Sequence, residues 1–455
     1  MMSAAVSPNE AQLEKLLELI TSSARAAIRE YKQAAGASAR ADPVPSIHDP
    51  EFHPLDTAQD TVRLKKAVRT LEGAAQQLAA TLAPPQHTVI NFAHNYDWAC
   101  VGVVMRAGVP ELLKKHPKGL HVDEIAKAVK LEPGKLGRVM RTLAGKGCFK
   151  EVSEGTFAIN RLANHLLPTS GPGALARIHA QDVSRAANVL WDSLTLPEYA
   201  SSYDPEHSPL ILAIRNEGKN ESFFEWMKED PERGERYHLA MIGLGDIMGS
   251  LSVLTHYPWS EINTLVDVGS SIGTVSIPLA RAHPHIKLTC QDLEEVTVRA
   301  KDIWTNEYPE AISSGQVSLV PLNFFEQTPV KNQDAYYLRN IIHDWPDHEA
   351  TLILRSVRAS MGSNSRVLIH DYVLQTTNRK PIEEYHGADV APEPMLPNFG
   401  AGTARAYQQD LNMWFIHNAK ERTVGDFTKL GAAAGLRLEN IYDLAEGSVL
   451  EFRLA

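Results

Sequence analysis

The chain of 455 residues has few cysteines and no long apolar run. Its three cysteines, Cys100, Cys148 and Cys290, stand singly and far apart, which argues against both a disulfide framework and a zinc site built from cysteine pairs. No stretch approaches the roughly 18 to 20 apolar residues of a membrane span, and the N-terminus lacks the basic and apolar regions of a secretory signal. We therefore expect a cytoplasmic protein with no membrane contact and no metal.

The chain also lacks an excess of basic residues. Its 55 acidic residues outnumber the 45 basic ones, so the formal net charge is −10 at pH 7. A protein that holds nucleic-acid phosphates needs clustered Lys and Arg, and no such run stands out. Hydrophobic residues at 44% and charged residues at 22% are ordinary values for a folded protein of two or three domains. We expect a small-molecule ligand and no nucleic-acid partner.

The N-terminal part has a helical pattern that is interrupted once. Leucines and isoleucines recur at helical spacing over residues 9–32, which predicts an amphipathic helix that needs a partner surface. Residues 34–56 have no periodicity and are rich in Ala, Pro and Asp, as is typical of a linker. Further helices are predicted over 57–81 and 89–105.

The next segment predicts a winged helix. From about Val109 the pattern is helix, short helix and helix, followed by a hairpin that turns at Glu154 and Gly155. Such a module can bind DNA through its last helix or serve as a packing module that dimerises, and the acidic chain favours dimerisation. The DNA-binding alternative would use a set of basic residues on that helix, namely Lys135, Arg138, Arg141 and Lys146.

Residues 189–252 are predicted to be helical and carry a cluster of large apolar side chains. These side chains are either the lining of a hydrophobic pocket or plain core, and their spacing is compatible with both. The cluster comprises Phe223, Phe224, Trp226, Met227 and Met241.

The strongest pattern begins at about residue 264. A short buried strand over 265–268 leads into a turn from Gly269 to Gly273, followed by a helix over 275–282 and a second strand that ends at Asp292. Glycines let the backbone approach a ligand closely, and an acid at the end of the second strand can accept hydrogen bonds from a ribose diol. This order predicts a nucleoside-binding Rossmann-like unit. The turn GSSIG departs from the G-x-G-x-x-G of dinucleotide sites, which disfavours a pyrophosphate ligand.

A candidate base lies further along the chain. His343 follows a predicted strand over 335–338, and ligands of open α/β sheets bind beyond the carboxyl ends of the strands. A histidine there can act as general base toward a phenol or enol hydroxyl, and a carboxylate behind it would fix its tautomer. Asp371 and Glu421 are the candidate carboxylates. Weaker histidine candidates are His348, His370 and His417.

Several motifs in this order resemble fungal O-methyltransferases, which are related to the plant caffeate and flavonoid O-methyltransferases. The motifs are VDVGSSIG, QDLEEV, NFF, YYLRNIIHDWPD, LIHDYVL, DLNMW and KERT. The resemblance covers roughly residues 57–455. It implies an α/β fold with a Rossmann-like class I methyltransferase domain, an N-terminal winged-helix dimerisation domain, S-adenosyl-L-methionine as cofactor and a homodimer. The implied division is an N-terminal helix and linker over 1–56, a dimerisation domain over 57–188 and a catalytic domain over 189–455.

The resemblance also implies roles for individual residues. His343 matches the catalytic base of the family, with Asp371 and Glu421 as the acidic pair that brackets it. The implied cofactor-binding residues are Gly269, Gly273, Asp292, Asn323, Phe324 and Arg339. The substrate pocket is assigned to Trp226, Met241, Met413 and Asn418.

Three features depart from the family pattern. Ser270 stands where a second glycine is usual, and Asn323 stands where an Asp commonly approaches the adenine. Residues 376–403 are longer than the usual connection and are predicted to form a loop or lid near the substrate mouth. Some proteins of this appearance catalyse dehydration or pericyclic ring formation instead of methylation. The retained His343 favours methyl transfer over that alternative, whereas Ser270, Asn323 and the longer connection favour the alternative. A third alternative is a non-catalytic binding or regulatory protein, which a basic winged-helix surface or a blocked cofactor turn would indicate.

Overall fold

The computed structural model describes residues 7–36, 42–217 and 222–455. The predicted α/β class and the N-terminal helical module are confirmed. The N-terminal part contains α1 (Pro8–Ala35), α2 (Val62–Leu82), α3 (Pro85–Ala93), α4 (Asp97–Arg106), α5 (Val109–Lys114), β1 (Leu120–His121), α6 (Val122–Val129), α7 (Pro133–Ala144), β2 (Lys150–Ser153) and β3 (Thr156–Ala158).

The predicted winged helix is present over α5, α6, α7 and a three-stranded sheet with the order β1-β3-β2. The single helix predicted over 89–105 is wrong, because the chain forms α3 and α4 with a break between them. His94 adopts φ −88° and ψ 62°, which lies outside the helical region. The apolar periodicity continues across this break, so it could not show where one helix ends and the next begins.

The segment predicted to be a linker lacks α-helix and strand over 42–53 and nevertheless packs on the winged helix. Asn160 donates from Nδ2 to the carbonyl of Ile47 at 3.0 Å. Arg161 forms an ion pair with Asp56, which is mostly buried. The described part of this segment is therefore held to the domain that follows it.

A helical layer connects the winged helix to the sheet. It consists of α8 (Gly171–Ile178), a π-helical turn (His179–Val183), α9 (Ser184–Asn188), α10 (Leu190–Thr195), α11 (Pro209–Ile214), α12 (Phe223–Lys228), α13 (Pro231–Met248) and α14 (Val253–His256). Helices α8 and α13 touch through their backbones, because a Cβ on Gly243 would lie 2.0 Å from the carbonyl carbon of Gly171. No single helix of the described residues is long and apolar enough to cross a membrane; α13 with the following 250–256 passes that test only as a bent pair, by length and composition.

The C-terminal part is a seven-stranded sheet flanked by helices. It contains β4 (Thr264–Val268), α15 (Ser276–Ala282), β5 (Lys287–Asp292), α16 (Glu294–Glu307), α17 (Pro309–Ser313), β6 (Val317–Pro321), β7 (Ala335–Arg339), α18 (Asp347–Ser360), β8 (Arg366–Asp371), β9 (Val373–Leu374), α19 (Ala404–His417), β10 (Arg422–Thr423), α20 (Val424–Ala433), β11 (Leu436–Asp443) and β12 (Ser448–Leu454).

The order of the strands indicates at which edge of the sheet a ligand binds. It is β6-β5-β4-β7-β8-β12-β11, and β12 runs antiparallel to both of its neighbours. The direction of strand addition reverses between β4 and β7, and ligands of such sheets bind at this reversal, beyond the carboxyl ends of the strands. The two faces of the sheet are covered by separate apolar clusters, one around Trp304 and one around Phe452. The loops after β4, β5 and β7 therefore lie together on a rigid support.

Residues 376–403 form a loop without α-helix or strand, as predicted, but the alternative of a lid near the substrate mouth is wrong, because the segment packs on α2. A Cβ on Gly73 would lie 2.1 Å from the carbonyl oxygen of Phe399, so the two backbones touch. The guanidinium of Arg69 lies 4.1 Å from the centre of the Phe399 ring and forms ion pairs with Asp389 and Asp443. These contacts hold helix α2 against the catalytic half of the chain.

Candidate active site

The turn between β4 and α15 brings the backbone close to its surroundings because two of its residues have no side chain. Gly269 and Gly273 have φ values of 78° and 93°, which residues with a Cβ rarely adopt. A Cβ on Gly269 would lie 2.3 Å from Ile341 Cδ1, and one on Gly273 would lie 2.7 Å from Trp304 Nε1. Both glycines are therefore required by the shape of the turn.

Asp292 ends β5 directly beside this turn. Its Oδ2 accepts a hydrogen bond from the backbone N–H of Ser271 at 2.8 Å, and its Oδ1 accepts one from that of Leu293 at 2.8 Å. Burial raises the pKa of the carboxyl group, and these two hydrogen bonds oppose the rise. Each carboxylate oxygen has a second lone pair, so Asp292 can still accept hydrogen bonds from two hydroxyl groups.

Asn323 and Phe324 lie in the loop after β6, on the next strand of the sheet. The Oδ1 of Asn323 accepts a hydrogen bond from the backbone N–H of Phe325 at 3.1 Å. The ring of Phe324 stands edge-on to Trp345, with 6.1 Å between ring centres. Asn323 therefore uses one of its two acceptor positions inside its own turn and retains the other.

Arg339 ends β7 and points its guanidinium toward the same turn. Its Nη1 donates to Ser250 Oγ at 3.2 Å, and its Nη2 donates to Thr274 Oγ1 at 3.3 Å. Among residues 7–36, 42–217 and 222–455, no carboxylate lies within ion-pair distance of this guanidinium. Arg339 is thus a partly buried cation held only by neutral hydroxyl groups, which suits it to an anionic group of a ligand.

His343 lies in the turn after β7 and is held from behind by Glu421. The imidazole Nδ1 and Glu421 Oε1 are 2.7 Å apart, and both side chains are almost fully buried. The other ring nitrogen, Nε2, lies 3.5 Å from Asp344 Oδ1. Because the carboxylate can only accept, Nδ1 carries a proton and Nε2 is the nitrogen available to a ligand.

Two opposing effects act on the basicity of His343. Burial alone would lower the pKa of the imidazole, because the buried cation loses its hydration. The carboxylates of Glu421, Asp344 and Asp371 outweigh this loss and raise the pKa above its ordinary value. The site therefore stabilises the imidazolium that proton abstraction would produce.

The two acids predicted to bracket His343 differ in their contacts. Asp371 accepts a hydrogen bond at Oδ1 from the backbone N–H of Asn340 at 2.9 Å. Its Oδ2 is buried and has no hydrogen-bond partner in the described part of the chain. The structure thus brings Glu421 into contact with the imidazole, whereas Asp371 acts on it only through its charge.

The other candidate histidines are placed differently. His348 is exposed on α18. His370 is buried in β8, with its Nδ1 2.6 Å from the hydroxyl of Tyr337. His417 ends α19, and its Nε2 lies 3.8 Å from Asp344 Oδ1. Only His417 is therefore near the imidazole of His343.

A cavity opens beside His343. Two of the four predicted pocket residues, Met241 and Met413, line it. Trp226 instead packs under Arg233, whose guanidinium lies 3.7 Å from the ring centre. The amide of Asn418 donates hydrogen bonds to two backbone carbonyls. The full lining consists of Leu175, Ile178, His179, Val183, Phe223, Tyr237, Met241, Leu244, Asn340, His343, Asp344, Gln409, Asn412, Met413 and Ile416.

Comparison with known proteins identifies the chemistry that this arrangement serves. The chain is similar to 3-O-methyltransferase 2 of Phanerochaete chrysosporium, with 37% identity over 451 residues that cover 98% of each chain. This chain belongs to the O-methyltransferase family. The model of the O-methyltransferase domain matches residues 215–437, and the model of the O-methyltransferase dimerisation domain matches residues 95–169.

Further relatives of this O-methyltransferase agree with the match. O-methyltransferase tpcA of Aspergillus fumigatus is 29% identical, with 83% of this chain and 84% of the relative covered. Among solved structures, OxaC shares the fold at a TM-score of 0.67 and 22% identity over 98% of this chain and 100% of its own. LepI in complex with S-adenosylmethionine shares it at a TM-score of 0.64 and 20% identity, with 85% and 93% covered.

The enzyme is therefore an S-adenosylmethionine-dependent O-methyltransferase, and its residues fit that cofactor. Asp292 offers acceptors for a ribose at the end of β5, and Gly269 and Gly273 give the adjoining turn a shape that a Cβ would disrupt by colliding with Ile341 and Trp304. Arg339 offers a cation without a carboxylate partner in the described chain, which suits the carboxylate of the methionyl part. These three features surround one turn.

Two buried residues beside the candidate site were not singled out from the sequence. Asp267 lies inside β4, accepts a hydrogen bond from Ser276 Oγ, and has its pKa raised to about 6 by burial. The sequence feature that could have revealed Asp267 is a lone carboxylate in a largely apolar strand. Arg422, in the KERT motif, is fully buried and donates to the carbonyls of Ile342 at 2.7 Å and Trp345 at 2.8 Å. It ties the turn that carries His343 to the segment that carries Glu421.

Proposed function

We propose that this O-methyltransferase methylates a hydroxyl group of a polyketide-like or aromatic secondary metabolite, with His343 as the general base. The observation that supports this role is the 2.7 Å contact between His343 Nδ1 and Glu421 Oε1. This contact fixes the imidazole in the tautomer whose Nε2 can accept a proton beside the cavity.

In the proposed reaction the substrate hydroxyl gives its proton to Nε2 of His343, and the resulting imidazolium is stabilised by Glu421. S-adenosylmethionine, when bound, would supply the electrophilic methyl group to the deprotonated oxygen as the sulfur–methyl bond breaks, leaving S-adenosylhomocysteine. The apolar walls of the cavity exclude water and hold the ring system of the substrate. Positioning of this kind supplies most of the rate gain, and a general base adds about 10²- to 10⁴-fold.

The cavity and the relatives support an aromatic substrate. The walls next to His343 are formed by apolar and aromatic side chains such as Phe223, Met241 and Met413. One relative is 6-hydroxytryprostatin B O-methyltransferase of Aspergillus fumigatus, with 29% identity and 76% of this chain covered. A largely apolar cavity with a few polar groups is typical of sites for ring systems that carry one reactive substituent.

The decisive experiment combines a variant with a labelled methyl donor. His343→Ala should bind S-adenosylhomocysteine as the native enzyme does and should lower turnover by about 10²-fold or more. His348→Ala changes an exposed histidine directly after the motif that contains His343, serves as the control and should retain native turnover. Native turnover in His343→Ala would refute the role. A dehydrated or isomeric product without label would show that the pocket performs the alternative ring-forming chemistry.

We further propose that the enzyme is a homodimer that pairs through the N-terminal module. Large apolar side chains of α3 and α4 are exposed, among them Val89 at 65%, Phe92 at 75% and Trp98 at 45%. Contiguous exposed apolar surface is typical of a protein interface. The match of residues 95–169 to the dimerisation domain begins within this region and supports a second copy as the partner.

A further inference from the structure

One face of α19 presents amide groups to the substrate cavity, away from His343. Gln409, Asn412, Met413 and Ile416 follow the spacing i, i+3, i+4 and i+7, so they share one helical face, and all four line the cavity. The first two are amides and the last two are apolar. A polar end of this kind is unusual in a pocket whose other helical walls are largely apolar.

The amide of Asn412 joins this face to the π-helical turn (His179–Val183). Its Nδ2 donates to His179 Nε2 at 3.2 Å and to Gln409 Oε1 at 3.3 Å. Because His179 Nε2 accepts, the neutral ring carries its proton on Nδ1. Burial lowers the pKa of His179 to about 4, so the ring is uncharged near neutral pH. Short π-helical segments occur frequently at functional sites.

This cluster retains unused hydrogen-bonding groups. In the described residues, the Gln409 amide NH₂, the Asn412 carbonyl Oδ1 and the His179 Nδ1–H have no hydrogen-bond partner. Polar groups that lose water without gaining a partner are costly, so an apolar ligand surface against them is disfavoured. A ligand oxygen that can accept from Gln409 or His179 is favoured instead.

The cluster lies further back along α19 than the end of the helix that is near His343. His417 ends α19, and its Nε2 lies 3.8 Å from Asp344, the neighbour of His343. Asn412 and Gln409 precede His417 by five and eight positions on the same helix. At 1.5 Å per residue these intervals correspond to about 7 and 12 Å along the helix axis. A ligand that contacts both His343 and the amides therefore needs oxygen groups at two separate positions.

We propose that His179, Asn412 and Gln409 form an uncharged anchor for a carbonyl or hydroxyl oxygen at the far end of the substrate. The anchor selects phenols that carry a neutral oxygen substituent remote from the methylated hydroxyl. It disfavours a carboxylate at that position, because no Lys or Arg lines the cavity in the described chain. The inference rests on the proposed function only for the identity of the reacting hydroxyl.

Equilibrium binding to the native enzyme tests the anchor without turnover. The probes are 2-naphthol, 2,6-dihydroxynaphthalene and 6-hydroxy-2-naphthoic acid, titrated in the presence of S-adenosylhomocysteine. The dihydroxy compound should bind about tenfold more tightly than 2-naphthol, as expected for one net hydrogen bond. The acid should show no such gain. Equal affinity for all three compounds would overturn the anchor.

Variants then test whether His179, Asn412 and Gln409 cause the preference for the dihydroxy compound. Asn412→Leu removes the amide that holds Gln409 and His179 in place, so it should remove the roughly tenfold preference for the dihydroxy compound while 2-naphthol binding stays within about twofold. Gln408→Leu replaces an exposed amide of the same helix and should retain the preference. Equal weakening of both ligands in Asn412→Leu would overturn the anchor, because it would indicate general damage to the cavity.

Methyl transfer from labelled S-adenosylmethionine to the same compounds is measured separately. If the preference in binding is present and depends on Asn412 but no phenol accepts label, the anchor stands and the proposed function fails. If label is transferred equally well to 2-naphthol and 2,6-dihydroxynaphthalene at limiting concentration, the anchor fails and the proposed function stands.

Discussion

The contact between His343 and Glu421 predicts a specific change in the dependence of activity on pH. Glu421→Gln replaces a buried carboxylate by an amide of the same shape, whose oxygen can still accept the Nδ1–H of His343. The hydrogen bond and the tautomer are therefore kept, and the negative charge is removed. The remaining charged groups that face the imidazole are Asp344 and Asp371.

The size and sign of the effect follow from the geometry. The centres of an imidazolium and a carboxylate in this contact lie about 4 Å apart, which at an effective dielectric constant near 20 gives about 4 kcal/mol. One pKa unit corresponds to about 1.36 kcal/mol, so we expect the pKa of His343 to fall by about 2 to 3 units. A general base works when it is deprotonated, so the rising limb of activity should move to lower pH by this amount. The plateau should fall by about 10²-fold, because the imidazolium loses its counter-charge.

The assay is label transfer from S-adenosylmethionine to a phenol, measured as kcat/KM between about pH 5.5 and 10.5 in buffers of constant ionic strength. Asp410→Asn is the matched control, since Asp410 accepts a hydrogen bond from the backbone N–H of Glu421 at 2.9 Å without facing His343. In Asp410→Asn the rising limb of the pH profile should stay at its native pH. A limb that stays in place in Glu421→Gln, or moves to higher pH, would refute the assignment of His343 as the titrating base.

Two further predictions concern the N-terminal helices. Arg69→Ala breaks buried ion pairs, including the one with Asp443, and should lower the free energy of unfolding by about 3 kcal/mol in denaturant titration. The exposed Arg63→Ala is the control and should change the free energy of unfolding by less than about 0.5 kcal/mol. Equal effects of the two variants would contradict the stabilising role of the Arg69 ion pairs. In sedimentation the native enzyme should have twice the 50.2 kDa mass of one chain, and Phe92→Asp should shift it to the monomer; a native monomer would exclude the proposed interface.

The cofactor-binding half of the fold is predictable because its signals are local. The strand predicted over 265–268 is found at Thr264–Val268, and the helix predicted over 275–282 is found at Ser276–Ala282. Asp292 ends the second strand as predicted. Apolar runs of strand length, a glycine turn and an acid at the next strand end all act within about 30 residues, so no distant contact is needed to place them.

The contacts around the base are less predictable because they join distant segments. His343 and Glu421 are 78 positions apart, and nothing in the spacing distinguishes Glu421 from Asp371 as the acid in contact. The same limit explains why the lid predicted for residues 376–403 is wrong. Their position is set by α2, for example by the hydrogen bond from Gln77 to the carbonyl of Pro394 across 317 positions. A long Pro- and Gly-rich segment has no local pattern that reveals such a partner.

The substrate cavity is built from both local signals and distant contacts. For this reason the reaction is easier to predict from the sequence than the substrate. The reacting groups occupy turns at strand ends, where glycine, histidine and acid stand out against apolar strands. The proposed anchor residues Gln409 and Asn412 lie within a helix, and His179 lies in a helical turn of another layer. Amides at helical spacing are ordinary for an exposed helix face, so only the packing of α19 against the π-helical turn shows that they face a cavity. Substrate selectivity in this enzyme therefore depends on residues whose role becomes visible only in three dimensions.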